Sequence, residues 1–196
     1  MNGQLPEVEF AGENPCVVLY DDRRNVLAAV SYWRADSSLY GVGQVLFLLR
    51  ASQGLALEAS VFSDNAELAG FLSTINQHFE GFQGTRLAVP VRAAELRVHR
   101  SADAVELDCA SDKHAVRVSW KGLGRPRIVR STLTDFGNRA GLCYEVSTVI
   151  IPAASGSIVI DGERQQGHVV DGYGALPRSA FLAFCETWTR IAPEPQ

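Results

Sequence analysis

The stretch Ile158–Gly174, IVIDGERQQGHVVDGYG, carries the clearest structural instruction in the chain. Asp161–Gly162 is a favoured pair for a two-residue hairpin turn of type I′, because both central residues of that turn need positive φ. Ser157–Ile160 is therefore predicted to fold back onto Arg164–Val170. Gly172 and Gly174 follow, and glycine's freedom at positive φ lets the chain bend sharply as it leaves the hairpin. Outward from this point the sequence keeps the same rhythm of short runs and turns.

Upstream, "CVVLYD" turns through Asp22–Asn25 into "VLAAVSYW", and "LYGVGQVLFLLR" and "GLALEASVF" follow at short intervals. "AELRVHR" and "AVELDCA" flank Ser101–Asp103 as a second hairpin. Leu96, Val98, Val105 and Leu107 fall on one face. Arg97, His99, Glu106 and Asp108 fall on the other, where opposite charges pair across strands. "HAVRVSW", "RIVRSTL" and "GLCYEVSTVII" bring the count to about ten strands, the mark of an antiparallel sandwich or barrel. Two segments have helical spacing instead. Over 64–80, Leu68, Phe71, Leu72, Ile75 and Phe79 form one apolar stripe behind a capping box from Asp64 to Glu67, with Ser63 as an alternative cap. Over 177–191, Pro177 in the first turn precedes Phe181, Phe184, Cys185, Trp188 and Ile191, and Pro193 and Pro195 end the segment. The expected fold is mainly β: one domain over 1–196, an antiparallel barrel of about ten strands with two helices, 64–80 and 177–191.

Composition narrows the partners. The 196 residues are 46% hydrophobic and 20% charged, ordinary for a globular domain. A formal charge of −4 argues against nucleic acid, whose phosphates demand a basic surface. The opening "MNGQLPEVEF" has no basic region followed by an apolar stretch, and apolar runs such as Val45–Leu49 are far short of the ~20 residues that cross a bilayer. No membrane insertion and a cytoplasmic location are expected. Cys16, Cys109, Cys143 and Cys185 form no close pair and are read as buried reduced thiols. His78, His99, His114 and His168 are too dispersed for a metal set. "GVGQVL" runs into a strand rather than a helix, so it is no dinucleotide loop. Neither a metal nor a cofactor is expected.

The "G-x-hydrophobic-x-hydrophobic-D-G … D-G-x-G" pattern over 156–174 resembles the hairpin of lipocalin-like barrels in the carotenoid-hydratase and AttH-like group, over about twenty residues. Single-domain lipocalin-like cyclases of bacterial natural-product pathways are similar in length. The resemblance implies a barrel that holds one hydrophobic small molecule and acts on it without a cofactor, as a cyclase or isomerase. A carrier or sensor with the same pocket is the alternative. A homodimer is compatible with either.

Candidate site residues are those that interrupt apolar strands, since an unpaired buried polar group costs ~1–3 kcal/mol. In Leu39–Arg50 both faces are largely apolar and Gln44 stands out. In "GLCYEVSTVII", Glu145 and Tyr144 lie on opposite faces, so only one can face a lumen. Glu145 would act as a general acid if desolvated, and Tyr144 would donate its hydroxyl. Catalytic roles are accordingly expected of Gln44 and of Glu145 or Tyr144. Tyr32, Trp33 and Tyr40 flank a turn expected at Arg34–Ser38 and are expected to contact substrate at the rim.

Overall fold

The computed structural model describes residues 7–52, 56–134 and 141–191. Five strands come first: β1 (Val8–Glu13), β2 (Cys16–Tyr20), β3 (Val26–Ser38), β4 (Gly43–Ala51) and β5 (Leu57–Ser63). The helix α1 (Ala66–Asn76) and a single 3-10 turn (Glu80–Phe82) follow. Next are β6 (Val91–Arg100), β7 (Ala104–Ser111), β8 (Ala115–Leu123), β9 (Arg127–Thr134) and the long β10 (Cys143–Ile160). The chain closes with β11 (Glu163–Arg164), β12 (Asp171–Tyr173), β13 (Leu176–Arg178) and β14 (Ala180–Ile191). No helix among the described residues is long and apolar enough to cross a membrane.

The fold is mainly β, as expected. The pairings run from β14 through β2, β3, β4, β5, β6, β7 and β8 to β10, and β10 pairs with β14 again, so nine strands close on themselves. β1 bridges β14 and β3, and β9 lies along the first half of β10. One pair departs from the antiparallel expectation: β5 and β6 run parallel, Val61 beside Val91. Parallel neighbours need a crossover, and here it carries α1.

Asp161 (φ 52°) and Gly162 (φ 84°) make the expected turn, with Ile160 beside Glu163 and Val159 beside Arg164. Beyond Arg164 the pairing does not continue to Val170; His168 instead bridges to Tyr20. The Ser101–Asp103 hairpin joins β6 to β7 with Arg97 beside Asp108 and His99 beside Glu106. The turn expected at Arg34–Ser38 is displaced, because β3 runs on to Ser38 to pair with β1. The helix expected over 64–80 is shorter. Asn65, not Asp64 or Ser63, is its cap: the Asn65 carboxamide accepts from Leu68 N at 3.1 Å, while Asp64 accepts from Gln44 N at 2.6 Å.

The second expected helix, 177–191, is overturned. Ala180–Ile191 is a strand between β10 on one side and β1 and β2 on the other. Phe181, Ala183 and Trp188 enter one core; Ala180 and Leu182 enter the other. A strand covered on both faces reads as a nearly continuous apolar run, so its period of two is hidden. A bulge hides it further. Ser147 and Val149 of β10 face Thr187 and Phe184, so β14 carries one extra residue there, and Cys185 absorbs it at φ 52°. Pro193 and Pro195 lie outside the described residues, as do Gly54 and Leu55 of the expected strand before β5.

Alternate residues of the ring strands feed two separate cores. All nine contribute to the inner one, which is filled by large side chains such as Tyr32, Phe62 and Trp120. The outer core lies between the opposite face of β2–β5, the helix α1, and the β1–β14–β10 wall. Trp33, Phe10 and Trp188 are packed there, with Phe10 stacked on Trp188 at 4.3 Å. Gly12 marks one tight crossing in this layer: a Cβ on it would lie 1.9 Å from the Arg34 carbonyl oxygen.

Candidate functional site

A pocket is expected inside the ring; among the described residues that side is filled by the buried inner core, Tyr32, Phe62 and Trp120 included. The room is in the outer layer, where a cavity of about 640 Å³ opens between α1 and the β9–β10–β14 wall. β10 supplies Val146, Thr148 and Ile150 to the floor, and β9 supplies Val129, Ser131 and Leu133 to the side. Each set is spaced by two, as residues on one face of a strand must be. The last turn of α1 brings Ile75, and Phe79 follows it. His78, Glu80 and Gln83 stand near the mouth.

The β12–β13 hairpin closes the remaining side with Tyr173, Gly174 and Leu176. It is tied to the chain after α1 by two bonds. Gly81 N donates to Tyr173 Oη at 2.9 Å, and Gly174 N donates to Glu80 Oε2 at 2.5 Å. Burial pushes the Tyr173 hydroxyl well above its ordinary range and the Cys16 thiol beside it up to about 12. Both stay protonated.

Among the described residues β14 places the one buried acid that lines this cavity. After Ala183 a regular strand would turn Cys185 inward and Glu186 outward. The bulge reverses this, leaving Cys185 exposed and setting Glu186 and Trp188 with Ala183 on the cavity side. Trp188 Nε1 donates to Glu186 Oε1 at 2.8 Å. Among the described residues the carboxyl has no other hydrogen-bond partner and no ion-pair partner. Burial without a compensating cation raises it to about 7, against the smaller opposing pull of the Trp188 bond. A carboxyl poised there can give or take a proton near neutral pH.

Asn14 shares this wall. Its backbone N donates to Ala183 O at 2.9 Å, and its side-chain Oδ1 accepts from Ser31 Oγ at 3.0 Å.

The residues expected from sequence are divided between the two layers, and none lines this cavity. Gln44 and Tyr32 belong to the inner face at one end of the ring. Tyr32 Oη donates to Gln44 Oε1 at 2.6 Å, and Gln44 Nε2 reaches Leu96 O at 3.4 Å. They border a shallow depression with Arg34, Asp36 and Asp64. Trp33, Tyr40 and Tyr144 are on the cavity side but behind its wall. Trp33 is fully buried and meets Trp188 edge-on at 5.7 Å. Tyr40 stacks on Phe71 at 4.5 Å, and Tyr144 donates to Glu9 Oε2. Glu145 is exposed on the opposite face of β10. Among the described residues no three His, Cys, Asp or Glu side chains cluster as metal ligands would. The signal for Glu186 was present as a lone acid between Phe184 and Trp188 in an apolar run.

No protein-family model matches the sequence, and no curated protein is similar to it. Among solved structures the chain is similar to acetoacetate decarboxylase from Legionella pneumophila, with a TM-score of 0.40 and 12% identity, over 95% of this chain and 85% of that one.

Proposed function

We propose that the protein binds a hydrophobic small molecule in the outer-layer cavity and moves a proton on it through Glu186, as an isomerase or cyclase does. The observation that carries this reading is the Glu186 carboxyl, buried in a wall built mostly of apolar side chains with no ion-pair partner among the described residues, a setting that raises it to about 7. The volume suits a ligand of terpenoid or polyketide size. Val146, Ile150 and Leu133 would hold such a molecule by burial, and Trp188 would fix the carboxyl's orientation through its N–H. Holding a flexible substrate in one reactive shape is itself a large part of the catalysis required.

A non-catalytic carrier with the same cavity is the second reading, favoured by the largely apolar lining, which suffices for binding alone. The two separate in one experiment. Apolar terpenoid and polyketide-derived compounds are incubated with the protein in D2O and followed by chromatography and mass spectrometry. The enzyme reading expects an isomeric product carrying deuterium, lost in Glu186→Gln. Saturable binding with no conversion across the panel would leave the carrier. Absence of any binding would remove both.

A further inference from the structure

Glu186 does not stand alone on the cavity wall. Asn14 is 4% exposed and lines the same cavity. Its Oδ1 is occupied by Ser31 Oγ, and its Nδ2 has no partner among the described residues. Nor does that nitrogen count among the sealed polar atoms, where Asn76 Nδ2 is found, so on a residue that lines the cavity it keeps a small accessible surface. A buried amide donor without an acceptor is costly, and a ligand oxygen would satisfy it.

The register fixes where this donor lies. Gly12 of β1 faces Glu186 of β14, and Asn14, two residues further on in the link between β1 and β2, gives its N–H to Ala183 O, so it is anchored beside the stretch of β14 that carries Glu186. Two residues of extended chain, the step from Gly12 to Asn14, span about 7 Å. A hydrogen bond from Asn14 and a proton transfer at Glu186 can therefore address one oxygen and a carbon close to it.

We infer that the substrate is a hydrophobic carbonyl compound, a ketone or enone whose oxygen accepts from Asn14 Nδ2 while Glu186 works on a neighbouring C–H. This rests on the proposed role of Glu186 and names the class of molecule that the site takes. In the step implied, the Glu186 carboxylate removes the α proton. The C–H electron pair becomes the C=C bond, and the carbonyl π pair moves to oxygen, where the Asn14 N–H stabilises the enolate. Glu186, now neutral, returns its proton to the same carbon or to a conjugated one. Nothing else is consumed. The oxygen gains charge in this step, so the Asn14 bond strengthens as the proton leaves and lowers the barrier as well as selecting the ligand.

The test uses two probes of matched shape, 2-acetylnaphthalene and 2-ethylnaphthalene, with the whole protein at pH 8. Binding is measured by fluorescence titration, and exchange of the acetyl methyl protons in D2O by NMR. Asn14→Asp keeps an acceptor for Ser31 but lacks the amide donor; Asn14→Ala removes both. The expected result is a loss of roughly 3- to 10-fold in ketone affinity in each variant, the size of one hydrogen bond. Hydrocarbon affinity should stay within about twofold, and methyl exchange should fall in the Asn14 variants and vanish in Glu186→Gln. Should both probes bind the unaltered protein and neither Asn14 variant distinguish them, the carbonyl assignment is overturned and the cavity stands. Should neither probe bind, the small-molecule reading itself fails and takes the assignment with it.

Discussion

Glu9, Glu13 and Glu186 are each 7% exposed, yet they meet different fates. Glu9 has Tyr144 and Arg190, and Glu13 has Arg100 at 2.6 Å and Arg34 at 3.1 Å. Among the described residues Glu186 has only the Trp188 indole N–H. A buried carboxylate without a cation is strongly penalised, so Glu186 keeps its proton to higher pH. That has a consequence for stability. Its folded pKa of about 7 lies above the ordinary 4.5, so the folded state holds the proton more tightly. Below 4.5 both states are protonated. From there to 7 the unfolded chain releases its proton first, and stability declines as pH rises, levelling off above 7. The full loss is about 3 kcal/mol at most. Glu186→Gln keeps an acceptor for Trp188 and has nothing to titrate. It should match the parent in urea unfolding at pH 5 and exceed it at pH 8. The same pH dependence in both proteins would show that Glu186 is not the group responsible.

At the scale of elements, the bulge in β14 makes the site. Cys185 occupies the left-handed region at φ 52°, which costs an L-residue about 1–2 kcal/mol and a β-branched one more. Cys185→Val should therefore destabilise the protein by about 1–2 kcal/mol, and Cys185→Gly should leave the urea midpoint level or raise it. Equal effects would mean that the strand can straighten there without loss. The same bulge explains why sequence reading stopped short. Asp161–Gly162 was legible because a two-residue turn is a local matter, and the 96–107 hairpin because one of its faces is polar. Ala180–Ile191 was not, because both faces are buried. The extra residue also puts Trp188 on the face of Phe181 seven residues later, the spacing of two helical turns. Glu145 had the same appearance in sequence as Glu186, an acid among apolar residues. Only the covering of each strand face separates them: β10 turns Glu145 to solvent, and β14 turns Glu186 toward the cavity.

For the whole molecule, the two cores divide the work. The inner core is packed with Tyr32, Phe62 and Trp120 and fills the closed ring, while the outer layer leaves room beside α1. A bulky side chain placed on the wall should therefore cost binding more than stability. Ala183→Trp is expected to weaken Nile red binding by about tenfold or more, with a Tm close to that of the parent. Undiminished dye binding would place the bound molecule elsewhere. Proton transfer in the cavity turns on the ionisation of Glu186, and the direct measurement is an NMR titration of protein carrying ¹³C at the glutamate carboxyls, with Glu186→Gln identifying the resonance. A resonance lost in that variant and titrating near 7 is the result expected here; a Glu186 resonance titrating near 4.5, with the exposed glutamates, would contradict it.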